Sequence, residues 1–292
     1  MADVNDEATS DGRYAALCDH ASRTARQILS HGPGGGSSGS AAYLYRRSEQ
    51  FVAGHRSGDR PRPDCGAADA LDAVARAYPA IRAGDLTGEE VFALHDGLWG
   101  RLMTEWPMGD YARMAADALA SLVGAGGTVV ELGAGVGATT RLIQPIVRAR
   151  GGRLVATDLL YRGARAADFD RPLVGQVPGA DVVVATNALH CSADPAVALR
   201  HVAALLEPGG ALVLAEGAPF PTPGVPWALD LLFGACGGWF DRGGFRTPEF
   251  WLGALRAAGF VRVERIRWPS GRYYLGGCFV ATAPGRGNAS VG

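Results

Sequence analysis

The chain has 292 residues, enough for one large domain or for a catalytic domain with a smaller companion. With 48% hydrophobic residues and a formal net charge of −1, it reads as an ordinary globular chain without the basic excess of a charge-driven nucleic-acid binder. Five cysteines with no Cys-x-x-Cys pair and one left over argue against a disulfide framework or a structural zinc, and for a reducing cytoplasmic setting.

The first ten residues are acidic and polar with no apolar core of a leader, and no apolar run approaches the roughly 20 residues needed to cross a bilayer. No membrane partner is therefore expected. Residues 1–12 read as a disordered tail. Tyr14 to Ser30 has helical spacing, with Leu17, Ala21, Ala25 and Ile28 on one side. His31 to Ser40 is rich in Gly and Ser and reads as a connector. It lacks the Gly-Lys-Ser/Thr that would close a phosphate loop. Helices are predicted over Ala41–Ala53, Ala67–Tyr78 and Gly88–Glu105, the last opening on a capping box formed by Thr87 and Glu90. Trp106-Pro107-Met108-Gly109 breaks the pattern. This gives an all-helical N-terminal subdomain over 13–106, a lid or substrate element, and a second domain over 107–281. Residues 282–292 read as a loose tail.

Asp110 to Val123 forms the helix that leads into Val129-Val130-Glu131-Leu132-Gly133-Ala134-Gly135-Val136-Gly137. A β-branched run, a carboxylate and three alternating glycines predict a strand, a tight turn and a helix N-terminus. Parallel sheets take up nucleotide-like cofactors at such places. Glycines allow positive φ and close approach of a ligand to bare main chain. Gly133, Gly135 and Ala138 also satisfy the looser Gly-x-Gly-x-x-Ala spacing of nicotinamide and flavin binders. Glu131 decides between them on charge. A carboxylate at the mouth of the loop repels a pyrophosphate and attracts an ammonium or a sulfonium. S-adenosylmethionine carries both cations and no phosphate. The next strand, Arg153 to Asp158, ends in an acid placed to accept both ribose hydroxyls.

Strands and helices then alternate. Ala138–Arg148 is a helix with Pro145 inside it, Ala180–Thr186 and Ala211–Glu216 are strands, and Asp194–Leu206 is a helix that stops on Pro208-Gly209-Gly210. Near-continuous apolar strands between helices predict an α/β fold with a parallel sheet covered on both faces. Thr247 caps a helix opening with Pro248 and running to Ala258. Phe260–Trp268 and Tyr273–Ala281 read as an antiparallel pair.

The strand end Ala185-Thr186-Asn187-Ala188-Leu189-His190 brings Asn187 and His190 to the same sheet edge as the glycine loop and Asp158. A histidine is the natural general base near neutral pH. Glu216 ends the neighbouring strand, where a carboxylate on one ring nitrogen strengthens the other as a base. Trp227, Phe233, Trp239 and Phe240 fall in the segment 217–246 over that edge and are candidate walls of an acceptor pocket. Tyr111 is a further candidate contact.

Taken together, VVELGAGVGATT, VATD, DVVVATNALH and ALLEPGGALVLAE resemble the class I S-adenosylmethionine-dependent methyltransferases, over about residues 110–281. The Asn-x-Leu-His strand end, the Glu after Pro-Gly-Gly, and FGACGGWF are similar to the C-methyltransferase domains of polyketide synthases. The resemblance implies a Rossmann-like, seven-stranded, mostly parallel sheet and an enzyme that uses S-adenosylmethionine. No ketosynthase or carrier neighbour is seen in the sequence, a departure from that family that leads us to expect a freestanding enzyme. The same resemblance implies His190 and Glu216 as the dyad that deprotonates an activated carbon. Glu131, Gly133, Gly135, Gly137, Asp158 and Asn187 would hold the cofactor, with Asp168-Phe169 reading the adenine and Asp170 as the alternative acid. The acceptor would be a small secondary metabolite, free or tethered to a carrier protein. No metal and no nucleic acid are needed. O-methylation of a phenol by the same His190 stays open, as do an S-adenosylmethionine-binding cyclase and a non-catalytic binding partner. Asp168 follows Asp158 by only ten positions, where the family has a full helix in its crossover.

Overall fold

The computed structural model describes residues 4–33, 39–55, 58–161, 163–218, 227–238, 244–267 and 276–285. The chain divides into two compact units: residues 1–108 with 219–244 and 269–275, and residues 109–218 with 245–268 and 276–292.

The first unit is helical. It holds α1 (Val4–Ser30), α2 (Gly39–Gly54), α3 (Gly66–Ala83), α4 (Gly88–Leu94), α5 (Leu98–Thr104) and, from later in the chain, α9 (Ala228–Phe233). Leu17, Ala21, Ala25 and Ile28 are all buried, and Leu44, Phe51, Leu71 and Tyr78 complete the interior against them. A buried carboxylate ties the loop after α2: Asp19 accepts from Gly58 N at 2.8 Å, Arg60 at 3.1 Å and His55 Nε2 at 3.1 Å. Two expectations change here. The first helix begins at Val4, inside the stretch read as a disordered tail, because no proline interrupts it and each added residue gains a backbone bond. The single helix expected over Gly88–Glu105 is two. His95 is extended and Gly97 takes φ 72°, which ends one helix and opens the next. The capping box at its start is present, with Thr87 Oγ1 accepting from Glu90 N and Glu90 accepting from Thr87 N.

The second unit is an α/β sheet domain. Its strands are β1 (Thr128–Leu132), β2 (Arg153–Thr157), β3 (Ala180–Thr186), β4 (Leu206–Gly217), β5 (Arg262–Arg267) and β6 (Gly276–Thr282). They lie in the order β2-β1-β3-β4-β6-β5. β2, β1, β3 and β4 are parallel, and β6 runs antiparallel to both β4 and β5. Val130, Leu132, Val183, Ala185, Leu212, Leu214 and Phe279 pack on one face against α8 (Pro195–Leu205) and α10 (Pro248–Ala257). The alternate residues Val129, Val182, Val184 and Val213 are equally buried, as a sheet covered on both faces requires. The remaining helices are α6 (Met108–Ala120) and α7 (Ala138–Ala149), the latter running unbroken through Pro145.

The sheet has six strands among the described residues, where seven were expected. The missing strand belongs to the crossover from β2 to β3. A lone parallel bridge, Thr157 to Arg165, stands on the free side of β2, and no ladder grows from it. Too few residues separate Asp158 from Asp168 for a helix and a return strand. The reversal of strand order between β1 and β3 is the topological switch point, where an open α/β sheet takes up its ligand.

Candidate active site at the carboxyl edge of the sheet

β1 ends in the glycine loop. Gly133, Gly135 and Gly137 have φ of 69°, 50° and 76°, the left-handed region that side chains resist. A Cβ on Gly133 would stand 2.5 Å from the Ala188 methyl, so the loop abuts the turn after β3. A Cβ on Gly135 would meet nothing within 4 Å among the described residues, which leaves bare main chain there. Asp158, just past β2, accepts from Gly135 N at 2.9 Å through one oxygen and from Leu160 N and Tyr161 N through the other. The loop is thus clamped by the acid that was expected to meet the ribose, and two carboxylate oxygens keep further lone pairs for a ligand.

Glu131 differs from the sequence picture. It is only 2% exposed, on the face opposite Leu132, and accepts from Thr140 Oγ1 of α7 at 2.6 Å. Burial pushes its carboxyl up to about 7. The Thr140 hydrogen bonds oppose that shift, and the nearby Asp158 charge adds to it. The expected full negative charge at the loop mouth is a half-neutralised buried carboxyl, which an arriving cation would draw back to its charged form.

β3 ends in strain. Asn187 has φ 47°, its N–H bonds to Ala215 O at 2.8 Å, and its Oδ1 accepts from Gly217 N at 3.1 Å. Two buried polar atoms at this strand end, Thr186 Oγ1 and Asn187 Nδ2, have no hydrogen-bond partner among the described residues. Buried polar groups left this way point to a ligand. The bare glycine backbone, a buried carboxyl suited to an ammonium and these two orphaned atoms fit S-adenosylmethionine.

The chain then makes a single 3-10 turn, Leu189–Cys191, which presents His190. Glu216 lies beneath it, 1% exposed at the end of β4. Its Oε1 accepts from the backbone N–H groups of Ala188 (3.2 Å), Leu189 (2.9 Å) and His190 (3.4 Å). Its Oε2 accepts from His190 Nδ1 at 2.7 Å. One carboxylate therefore fixes both the turn and the ring. Phe245 packs against the imidazole with centroids 5.6 Å apart, and its ring lies where a Cβ on Gly217 would be. Burial disfavours charging the imidazole. Cys191, which hydrogen-bonds the ring, and the Glu216 carboxylate outweigh it, and the pKa is raised well above the ordinary histidine value.

Residues 102–265 match the model of a methyltransferase domain family, more than half of the chain. The chain belongs to that family. A non-reducing polyketide synthase of Aspergillus terreus is 30% identical over 193 residues, covering 56% of this methyltransferase and 7% of that protein. Polyketide synthase ThaQ of Burkholderia thailandensis is 34% identical over 162 residues, covering 48% and 7%. The methyltransferase thus spans less than a tenth of the length of these relatives. The CurJ carbon methyltransferase shares its fold at TM-score 0.70 and 18% identity, over 97% of this chain and 94% of that one. The trans-methyltransferase CalH, solved with SAH, does so at TM-score 0.71 and 20% identity, over 95% and 91%. The sheet unit is thus a methyltransferase domain of α/β fold.

The other expected site residues are scattered. Asp168 caps its own loop, accepting from Asp170 N at 3.0 Å, while Gln176 clasps its backbone N–H and C=O. Phe169 packs against the sheet core, and its carbonyl hydrogen-bonds His201 Nδ1 at 3.0 Å. Tyr111, fully buried on α6, has its ring against Gly276, beside the end of β4. Trp227 and Phe233 belong to the helical unit, Trp227 wholly buried and Phe233 edge-on to Trp99 at 6.1 Å. Trp239 and Phe240 lie outside the described residues. Sequence reasoning missed Thr140, Phe245 and Ser192. Phe245 alone had a signal, the aromatic run that precedes it. No helix among the described residues is long and apolar enough to cross a membrane.

Proposed function

We propose that the methyltransferase places a methyl group on an activated carbon of a polyketide-type acyl substrate, with His190 as general base and Glu216 as its anchor. The observation that carries this is the double role of Glu216. It accepts from Nδ1 and from three backbone N–H groups at once. A carboxylate only accepts, so Nδ1 is the donor and Nε2 is the nitrogen that receives a proton. His190 Nε2 takes the proton from the acceptor carbon, and the electron pair left on that carbon becomes the new bond to the methyl. S-adenosylmethionine, when bound, would supply that methyl as an electrophile, with a neutral thioether as the leaving group. The glycine loop, Glu131, Asp158, Thr186 and Asn187 would hold the cofactor, and Phe245 keeps water from the imidazole. Polyketide synthases among the sequence relatives support the substrate class. The acceptor arrives free or on a carrier-protein arm.

The reading is tested with His190→Ala and a β-ketoacyl thioester acceptor. Turnover is expected to fall by roughly 10²–10⁴, the range removed with a general base, while S-adenosylmethionine still binds in a calorimeter. Near-normal turnover in this variant would remove the base from the mechanism.

A further inference from the structure

The crossover between β2 and β3 is too short to build the expected strand, yet it is firmly anchored. Ala167 is buried, Phe169 packs on the core, His201 hydrogen-bonds the Phe169 carbonyl, and Gln176 clasps Asp168. Asp170 projects from this anchored loop to the far end of the turn that carries His190. Its Oδ1 accepts from the Ser192 hydroxyl, and both its oxygens lie 3.2 Å from Ala193 N. Ser192 is 1% exposed, and its hydroxyl accepts in turn from Asp194 N at 3.1 Å. Asp194 is the N-cap of α8, accepting from Ala196 N and Val197 N. A continuous chain of hydrogen bonds therefore runs from the crossover through Asp170 and Ser192 into the first turn of α8.

The 3-10 turn is one turn long and cannot hold its own position. Glu216 grips its leading end at Ala188, Leu189 and His190. Asp170 grips Ser192 and Ala193, the two residues immediately after Cys191. We infer that Asp170 is a positioning residue for methyl transfer, pinning the trailing end of the His190 turn so that the imidazole keeps one attitude toward the acceptor. This rests on the proposed role of His190. It gives the truncated crossover a task in the sheet domain and directs the Asp170 carboxylate at Ser192 and Ala193, in place of the adenine-reading role open to it in sequence.

The test uses the full chain with Asp170→Ala, Asp170→Asn, Ser192→Ala and His190→Ala, each measured for kcat, acceptor KM, the pH profile of kcat/KM, and S-adenosylmethionine affinity by calorimetry. Asp170→Ala is expected to lower kcat roughly 10- to 100-fold through misplacement of the base, with cofactor Kd within about twofold of the parent. Its pH limb should move, since a loosened turn changes how Glu216 meets the ring. Asp170→Asn keeps an oxygen acceptor for Ser192 and Ala193 and should restore most of kcat. The Asp170→Ala, Ser192→Ala double variant should lose no more than Asp170→Ala alone, because both sit in one chain of bonds. A weakened cofactor Kd with parental kcat would make Asp170 a cofactor contact and overturn the inference, as would parental values throughout. If Asp170→Ala does not fold, Ser192→Ala and Asp170→Asn decide by the same split. An inactive His190→Ala beside a fully active Asp170→Ala defeats this inference alone. An active His190→Ala defeats the assignment of the base.

Discussion

His190 and Glu131 are both buried titratable groups at one sheet edge, and both are shifted upward, for opposite reasons. The histidine keeps its proton because Cys191 and Glu216 outweigh burial. At neutral pH the basic form is then the minority, so kcat/KM should climb with pH along a limb above the usual histidine value of about 6.5. Replacing the carboxylate in Glu216→Gln removes the charge that holds the proton, and the limb should move to lower pH while the maximal rate falls. An unchanged limb would detach Glu216 from the base. The same shift stabilises the folded state below about pH 6.5, a contribution lost as pH rises through the raised value. For Glu131 burial itself is the cause, and its carboxyl moves from 4.5 to about 7. Its contribution is complete below the unfolded value and disappears as pH rises through 7, about 3 kcal/mol in all for the ligand-free protein. Thermal melts of Glu131→Gln and parent should therefore diverge, the variant gaining on the parent from pH 5 to pH 8. Parallel melting curves would mean that the Glu131 carboxyl sits in water.

The elements show what a sequence conveys and what it withholds. β1, β3 and β4 are near-continuous apolar runs, and their parallel pairing follows from that composition and their alternation with helices, whereas their order is seen only in the structure. The caps at Thr87 and Thr247 were legible because each hydroxyl accepts from a backbone N–H only three residues on, so the signal is local. The break at Gly97 was not, since one glycine inside a helical pattern is usually tolerated at modest cost. The missing seventh strand was foreshadowed only by spacing, as the ten positions from Asp158 to Asp168 hold no periodic signal. The glycine loop combines a local signal with a distant contact. Gly133 needs positive φ, which the motif announces, and it also needs the space beside Ala188, which it does not. Gly133→Ala is thus expected to cost roughly 1–3 kcal/mol of stability, seen as a lower midpoint in denaturant, together with weakened cofactor binding. Gly135→Ala meets no neighbour and should cost only the strain of its φ. Equal losses in the two variants would show that the Ala188 contact is not a constraint.

Over the whole molecule, the candidate site gathers where the sheet reverses its strand order, and most of its members come from strand ends. Glu131, Asp158, Asn187 and Glu216 each end or follow a different parallel strand, which is why a one-dimensional reading could name them. Their chemistry lay beyond it. Burial of Glu131, the three-amide grip of Glu216 and the reach of Asp170 to Ser192 depend on pairs 9 to 28 positions apart. Of the aromatics named for the acceptor, Trp227 is wholly interior to the helical unit, a burial that no local pattern announces. The central claim is that this edge deprotonates a carbon and methylates it. The most direct measurement supplies S-adenosylmethionine carrying a ¹³C-methyl and a β-ketoacyl thioester, and locates the label in the product by NMR for parent and His190→Ala. Label is expected on the carbon between the two carbonyls with the parent and almost none with the variant. Label on oxygen, or equal label on carbon without His190, would contradict the claim.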